Sequence, residues 1–221
     1  MVFCDLGDTQ IVSASPETHV SLSRERVAVL RPIAGSRRRD ADGAADDALA
    51  DELRSDEKER AEHLMLVDLA RNDLGRVCEP GTVRVSRSLE VERYSHIMHL
   101  VSQVDGRLRD GYDALALLQH TFPAGTVSGA PKVRAMQLIS QIEGARRGIY
   151  AGALGYLGID GALDTCIALR TIVMRPGEAM LQAGAGIVAD SIPAAEHEEC
   201  LNKIAAFAAA IDLAETGRYG R

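Results

Sequence analysis

The sequence predicts a mixed α/β fold of the α+β kind, and three observations carry that prediction. Short apolar runs broken by turn formers fill the first thirty residues, two long stretches carry apolar residues at helical spacing, and no repeat or low-complexity linker divides the chain. The 221 residues are 46% hydrophobic and 26% charged, which suffices for one α/β body with an ordinary core and excludes disordered and fibrous classes.

Taken in order, Val2 to Leu6, Ile11 to Ala14, Val20 to Leu22 and Val27 to Leu30 read as strands, with Gly7-Asp8 and Ser15-Pro16-Glu17 among the turns between them. A sheet opening at Met1 would leave its first strand as an unguarded edge. From Arg37 to Glu62, 16 of 26 residues are charged. Arg37 to Gly43 reads as an exposed loop, and the spacing of Leu49, Leu53, Leu64, Val67 and Leu69 predicts a helix over 46–73, stopped at Leu74-Gly75. Thr82 to Leu89 and Ile97 to Val104 alternate like strands. Tyr112 to His120 and Val133 to Ile142 have helical spacing, the second opened by Pro131. Gly152 to Leu157, Ala162 to Met174 and Ala179 to Gln182 return to strand character. A last helix follows Ser191-Ile192-Pro193 and runs to Ala214, with Ser191 as a candidate cap and 215–221 as an unstructured tail.

The formal net charge of −7 argues against nucleic acid or an anionic membrane as the main partner, though a small anion can still be held by local groups. No window reaches the apolar length of a membrane span, and the N-terminus lacks a signal peptide's basic flank and apolar core, so the expected compartment is the cytoplasm. Cys4, Cys78, Cys166 and Cys200 are scattered, without disulfide or zinc-ligand spacing. With 4% aromatic residues and no Trp, stacking on bases or sugars is disfavoured.

Several constellations could carry chemistry. Glu59 with Glu62, and Glu196 with Glu199, place carboxylates three apart on helical stretches, a spacing that puts both on one face and suits a hard divalent cation. A solvated face is the better reading of either pair in isolation. Arg170 interrupts the apolar run Cys166 to Val173, where an inward guanidinium needs a carboxylate and an outward one needs nothing. Tyr150 is either a core aromatic or a ligand contact. The Gly184-Ala185-Gly186 run and the Gly125 to Lys132 segment could bring backbone amides to an anion, yet neither matches a P-loop or a dinucleotide fingerprint. His99 sits among apolar neighbours, either as a core residue or as a proton-transfer group. No Ser-His-Asp or Cys-His arrangement can be assembled.

In order along nearly the whole chain, the runs Arg31 to Arg37, Glu62 to Leu74, Arg93 to Ser102, Gly125 to Arg134, Asp164 to Ile167 and Gln182 to Ser191 resemble the chorismate-utilising enzymes, above all their anthranilate synthase large-subunit (component I) branch. The resemblance implies a two-layer sandwich of largely antiparallel sheets with helices outside, of which this chain would hold the C-terminal catalytic portion without the N-terminal strands. It implies that Glu62 and Glu199 hold Mg²⁺, which grips the ring carboxylate of chorismate. Arg170, Tyr150 and the Gly184-Ala185-Gly186 backbone match the contacts to the enolpyruvyl carboxylate, with Gly35 and Ser36 also at the substrate. Glu59 matches an acid assisting departure of the ring hydroxyl, His99 the residue linked to pyruvate elimination, and Thr126, Glu196 and Lys203 further pocket positions, Lys203 among the catalytic ones.

The implied reaction is amination of chorismate with loss of the hydroxyl and elimination of pyruvate, giving anthranilate for tryptophan biosynthesis. Ammonia would come from a glutamine amidotransferase partner, and assembly into a homo-oligomer is compatible with the sequence. Ala34 before Gly35 argues against the aminodeoxychorismate branch, which carries lysine there, while Ser36 in place of threonine does not separate the isochorismate branch. The competing expectation is a non-catalytic remnant that binds an amidotransferase or synthase subunit. Family chains being longer, the isolated chain is expected to show little or no activity by itself.

Overall fold

The structure, a computed structural model, describes residues 1–217. They fall into two compact units. The larger comprises Glu17–Gly144 and Gly155–Thr165; the smaller comprises Met1–Pro16, Ala145–Leu154 and the chain from Cys166 onward. This differs from the single body expected above. The chain passes between the units four times without a linker, so composition carries no mark of the boundary.

In the larger unit the strands are β3 (Thr18–Leu22), β4 (Val27–Leu30), β5 (Ile33–Arg38), β6 (Arg84–Arg93) and β7 (Ile97–Arg107), with parts of β8 (Ala153–Leu157) and β9 (Leu163–Ile167). The seven-stranded sheet runs β5-β7-β4-β3-β9-β8, and β6 pairs with β7. Strand β7 is long enough to pair antiparallel with β5 through its first half, with β4 through its second, and with β6 along most of its length.

Helices α1 (Gly43–Ser55) and α2 (Glu57–Gly75) replace the single helix expected over 46–73. Asp56 is the reason. Its extended backbone (ψ 111°) stops α1 while its carboxylate accepts the Glu59 N–H at 3.1 Å and caps α2. Helix α2 buries Val67, Ala70 and Leu74 against Val20, Leu22, Leu30, Val104 and Leu108, joined by Ala114 and Leu117 of α3 (Ala114–Thr121). Each such Leu or Val contributes roughly 1.5–3 kcal/mol on burial. Ala50 and Leu53 of α1 cover Met98 and Leu100 of β7 in a second cluster. The expected exposed loop after Arg37 begins instead inside β5. Arg39, in that segment, and Arg93, on β6, both pair with buried Asp46, and hydrogen bonding from Arg39 holds that carboxyl down at about 2.

The smaller unit is built on an antiparallel sheet, β1-β2-β10-β11, from β1 (Val2–Asp5), β2 (Gln10–Ser13), β10 (Thr171–Arg175) and β11 (Glu178–Leu181). Among the described residues β1 lies at one end of this strand order. Thus the four N-terminal strands form, but β1 and β2 belong to one unit and β3 and β4 to the other. The run expected as one strand over 162–174 is two, β9 and β10, because Arg170 takes a left-handed conformation (φ 47°). The unit ends in α6 (Pro193–Thr216), with Gly217 following at φ 64°. Ser191 does not cap α6; its hydroxyl accepts the Val188 N–H. Of the expected tail, 215 and 216 are helical and 218–221 lie outside the described residues. All four cysteines are free, and among the described residues no helix is long and apolar enough to cross a membrane.

Candidate active site

In the larger unit Gly35, Ser36, Glu59 and His99 meet around a bulge in β5. Ala34 lies opposite Leu100 and Ser36 opposite His99, so Gly35 is one residue too many for the partner strand. Gly35 has φ +79°, and a Cβ there would come within 3.0 Å of both Glu59 Oε2 and Leu53 Cδ1. Only glycine meets both conditions. Because Met98 and Leu100 face α1, Ala34 and Gly35 both lie on the helix side, and the bulge turns Ser36 to the opposite face. Arg37 returns to the helix side, donating to Glu52 at 3.0 Å, Asp56 at 3.0 Å and Glu59 at 3.3 Å. Burial works against its charge, but these carboxylates outweigh it and raise its pKa.

On the other face, Ser36 Oγ shares a hydrogen bond of 2.8 Å with His99 Nδ1. Behind the bulge His63, fully buried on α2, meets Ser102 Oγ at 2.7 Å, and burial pushes its pKa down, with the Ala34 carbonyl, as an acceptor, opposing. His63 therefore acts as a neutral strut. Glu62, its neighbour, is exposed, with no ion pair or hydrogen bond among the described residues.

Thr126 sits on α4 (Gly125–Ser128), one turn that leans on α2: a Cβ on Gly125 would lie 1.9 Å from Leu69 Cδ2. Glycine here serves close packing, not the anion cradle weighed above. Beside Thr126 stands Glu17, whose carboxyl is raised to about 7 by desolvation, the Thr126 hydroxyl opposing. The segment is anchored by Lys132, the first residue of α5 (Lys132–Glu143), whose ammonium donates to Asp73 at 2.8 Å and to the Thr121 carbonyl at 3.1 Å. His19 also meets Thr121 O, and burial holds its pKa at about 4. Composition gave no signal for Glu17. The turn Ser15-Pro16-Glu17 reads as punctuation until Thr18–Leu22 is seen to carry the chain back into the core.

In the smaller unit Lys203 organises the glycine run. It donates to the Gly184 carbonyl at 3.0 Å and pairs with Glu199, one turn earlier on α6, at 2.6 Å. A Cβ on Gly184 would lie 2.7 Å from the Tyr150 hydroxyl, and Arg147 stacks 5.6 Å over the Tyr150 ring. Arg170 is exposed, as the outward reading expected. Its backbone carbonyl binds Ala14 N–H at 3.0 Å, and its guanidinium has no partner among the described residues. Glu196 lies half-buried in the first turn of α6, while Ala185 and Gly186 continue the loop after Gly184.

The structure thus joins Gly35 to Glu59, Ser36 to His99, and Tyr150, Lys203 and Glu199 through Gly184, and sets Glu17 near Thr126, whose buried hydroxyl oxygen has no hydrogen bond among the described residues. It does not join Glu59 to His99, which lie on opposite faces of β5 and β7. Among the described residues no group of three or more His, Cys, Asp or Glu could hold a metal by itself. Magnesium asks less: one or two hard carboxylates, with water and ligand oxygens completing the shell. Glu62, in the larger unit, and Glu199, in the smaller, are each an exposed carboxylate of that donor type.

The family model for chorismate binding enzymes matches residues 1–209. Anthranilate synthase component 1 of Aquifex aeolicus is 56% identical over 215 residues, 97% of this chain and 43% of that protein. Its counterpart in Thermus thermophilus is 54% identical over 217 residues, 98% and 47% respectively. Among solved structures, anthranilate synthase component I from Streptococcus pneumoniae matches with a TM-score of 0.84 at 50% identity, over 91% of this chain and 44% of that one. The menaquinone-specific isochorismate synthase of Escherichia coli matches at 0.79 and 28% identity, over 90% and 45%. The chain spans less than half the length of these relatives.

Proposed function

Since the chain belongs to the chorismate binding enzyme family, we propose that it binds chorismate with Mg²⁺ and carries catalytic groups for its conversion, with ammonia, to anthranilate, pyruvate and water. The observation that carries this choice within the family is identity of 52–57% to proteins named anthranilate synthase component 1, against 28% to the isochorismate synthase above. Ammonia is supplied by a glutamine amidotransferase partner, and a cytoplasmic setting suits four free thiols.

Glu62 and Glu199 would hold the Mg²⁺, which when bound neutralises the ring carboxylate of the substrate. Arg170, whose guanidinium has no partner among the described residues, is available to the enolpyruvyl carboxylate, together with the Tyr150 hydroxyl and the Gly184-Ala185-Gly186 amides. Lys203 fixes that loop through the Gly184 carbonyl. For departure of the ring hydroxyl as water, Glu59 is the acid that the resemblance names, and Glu17 is a second candidate. A carboxyl poised at about 7 beside Thr126 can hold and release a proton at neutral pH, whereas Glu59 is engaged by Arg37 under the Gly35 bulge. His99, on the opposite face, moves the proton needed when pyruvate leaves. Gly35, Ser36, Thr126 and Glu196 line the same reading of the substrate.

The test is anthranilate fluorescence after mixing the chain with chorismate, Mg²⁺ and ammonium, alone and with the N-terminal portion of the Aquifex aeolicus relative added. Anthranilate in the supplemented mixture supports the proposal. Chorismate left unconsumed in both mixtures overturns it, and isochorismate as the product moves the chain to the other branch.

A further inference from the structure

Arg170 carries its guanidinium on a strained piece of backbone in the smaller unit. At φ 47° it is left-handed, a conformation that costs an L residue energy and persists only where surrounding contacts impose it. Asparagine or aspartate can support that conformation with its own short polar side chain. Arginine cannot, so the support has to come from its neighbours.

The neighbours are placed to give it. A residue's two torsions turn the peptide before it and the peptide after it, and at Arg170 both peptides are tied down. On the near side the Leu169 carbonyl accepts the Thr171 hydroxyl at 2.9 Å, a bond that reaches back across Arg170. On the far side the Arg170 carbonyl accepts the Ala14 N–H at 3.0 Å. Thr171 Oγ1 also lies 2.9 Å from Oγ of Ser13, its cross-strand neighbour, and both residues are buried. Because a carbonyl only accepts, the single Thr171 proton goes to Leu169 and its lone pairs to the Ser13 hydroxyl. Upstream, Ala168 donates to the Gly152 carbonyl at 2.8 Å and accepts the Ala151 N–H at 3.0 Å. Ala151, which follows Tyr150, is itself left-handed at φ 62°. The backbone that bears Arg170 is thereby held to the backbone that bears Tyr150, the other side chain assigned above to the enolpyruvyl carboxylate.

We infer that Thr171, backed by Ser13, is a positioning residue: its hydroxyl staples the backbone across Arg170 and so aims the guanidinium at the carboxylate it binds. The inference rests on the substrate contact proposed above for Arg170. Being buried, neither hydroxyl is offered to a ligand. Their contribution is to remove in advance the backbone freedom that binding would otherwise have to remove.

Nuclear magnetic resonance of the whole chain reads the staple, and calorimetry reads its consequence. A positive φ brings an amide proton close to the Hα of its own residue. Wild type should therefore show a strong intraresidue amide–Hα Overhauser effect at Arg170 and a protected Ala14 amide. Thr171→Val, which keeps the shape and removes the hydroxyl, should weaken that effect and speed exchange at Ala14, while Thr171→Ser should keep both. In titrations with chorismate and Mg²⁺, Thr171→Val should weaken binding roughly 10-fold and Thr171→Ser should restore it. In an Arg170→Gln background the same Thr171→Val change should alter binding by less than about 2-fold, since its influence passes through the guanidinium. A loss of similar size with and without the Arg170 guanidinium overturns the inference, because Thr171 would then act through the integrity of the whole unit. So does a Thr171→Ser chain that binds as weakly as Thr171→Val, or a wild type without the Overhauser effect at Arg170. Should Thr171→Val fail to fold, Ser13→Ala, which leaves the Leu169 bond without its backing, goes through the same pair of titrations, and the same two results decide. The failure of the functional reading looks different: the Overhauser effect is present, but wild type binds no chorismate.

Discussion

Replacing Gly35 by alanine separates the two constraints that the β5 bulge places on one residue. The first is conformational: at φ +79° an alanine is strained by roughly 1–2 kcal/mol relative to glycine. The second is steric. The new Cβ would lie 3.0 Å from Leu53 Cδ1, which is fully buried, and 3.0 Å from Glu59 Oε2, which Arg37 restrains. Overpacking of this kind costs about 1–3 kcal/mol, so the expected total is roughly 2–5 kcal/mol. Gly81→Ala supplies the control, because Gly81 lies in the same unit at φ +80° with nothing within 4 Å of its would-be Cβ. Urea unfolding followed by circular dichroism gives both losses. Gly35→Ala should exceed Gly81→Ala by at least about 1 kcal/mol, and the added change Leu53→Ala should shrink the difference between them. Equal losses for the two glycines would refute the steric half of the argument. A Gly35→Ala chain as stable as wild type would refute the bulge itself.

Other outcomes follow from the buried charges. Lys132→Met leaves Asp73 buried with no cation, its Oδ1 already lacking a hydrogen-bond partner among the described residues, and should cost about 3–5 kcal/mol in urea, most of it recovered by adding Asp73→Asn. Recovery of nothing would mean that packing, not charge, is lost. Glu17 has a folded pKa above its ordinary value, so its stabilising effect is full below about 4.5 and disappears as pH rises through about 7. Wild type should therefore lose stability relative to Glu17→Gln between pH 5 and 8, by up to roughly 3 kcal/mol, and parallel pH profiles would remove Glu17 as a proton donor. In turnover, the acid is the carboxylate whose glutamine variant lowers the amination rate by roughly 10²–10⁴, and comparison of Glu59→Gln with Glu17→Gln decides between the two.

What the sequence made legible, and what it hid, divides along physical lines. Strands Val2–Asp5 to Val27–Leu30 and the terminal helix are written in local apolar spacing, and the structure contains them. Their distribution between two units is set by strand pairing, a long-range choice that no local pattern records. The break at Asp56 was hidden because a capping carboxylate looks like one more charge in an acidic run, and the break at Arg170 because a left-handed residue leaves the apolar count of its neighbours untouched. For the candidate site, the motifs named the residues, but three contacts had to be seen: the bulge that turns Ser36 to His99, the Arg37 clamp on Glu59, and the burial of Glu17 beside Thr126. The first two depend on which face of a strand a side chain takes, and a single misplaced residue in the register reverses that answer.

The central claim is Mg²⁺-dependent recognition of chorismate, and calorimetric titration of chorismate into the chain tests it most directly, with and without Mg²⁺, for wild type and Glu62→Gln. Heat of binding should appear for wild type only when Mg²⁺ is present and should be lost in Glu62→Gln. Absence of any Mg²⁺-dependent heat in wild type, or equal heats in both proteins, would contradict it.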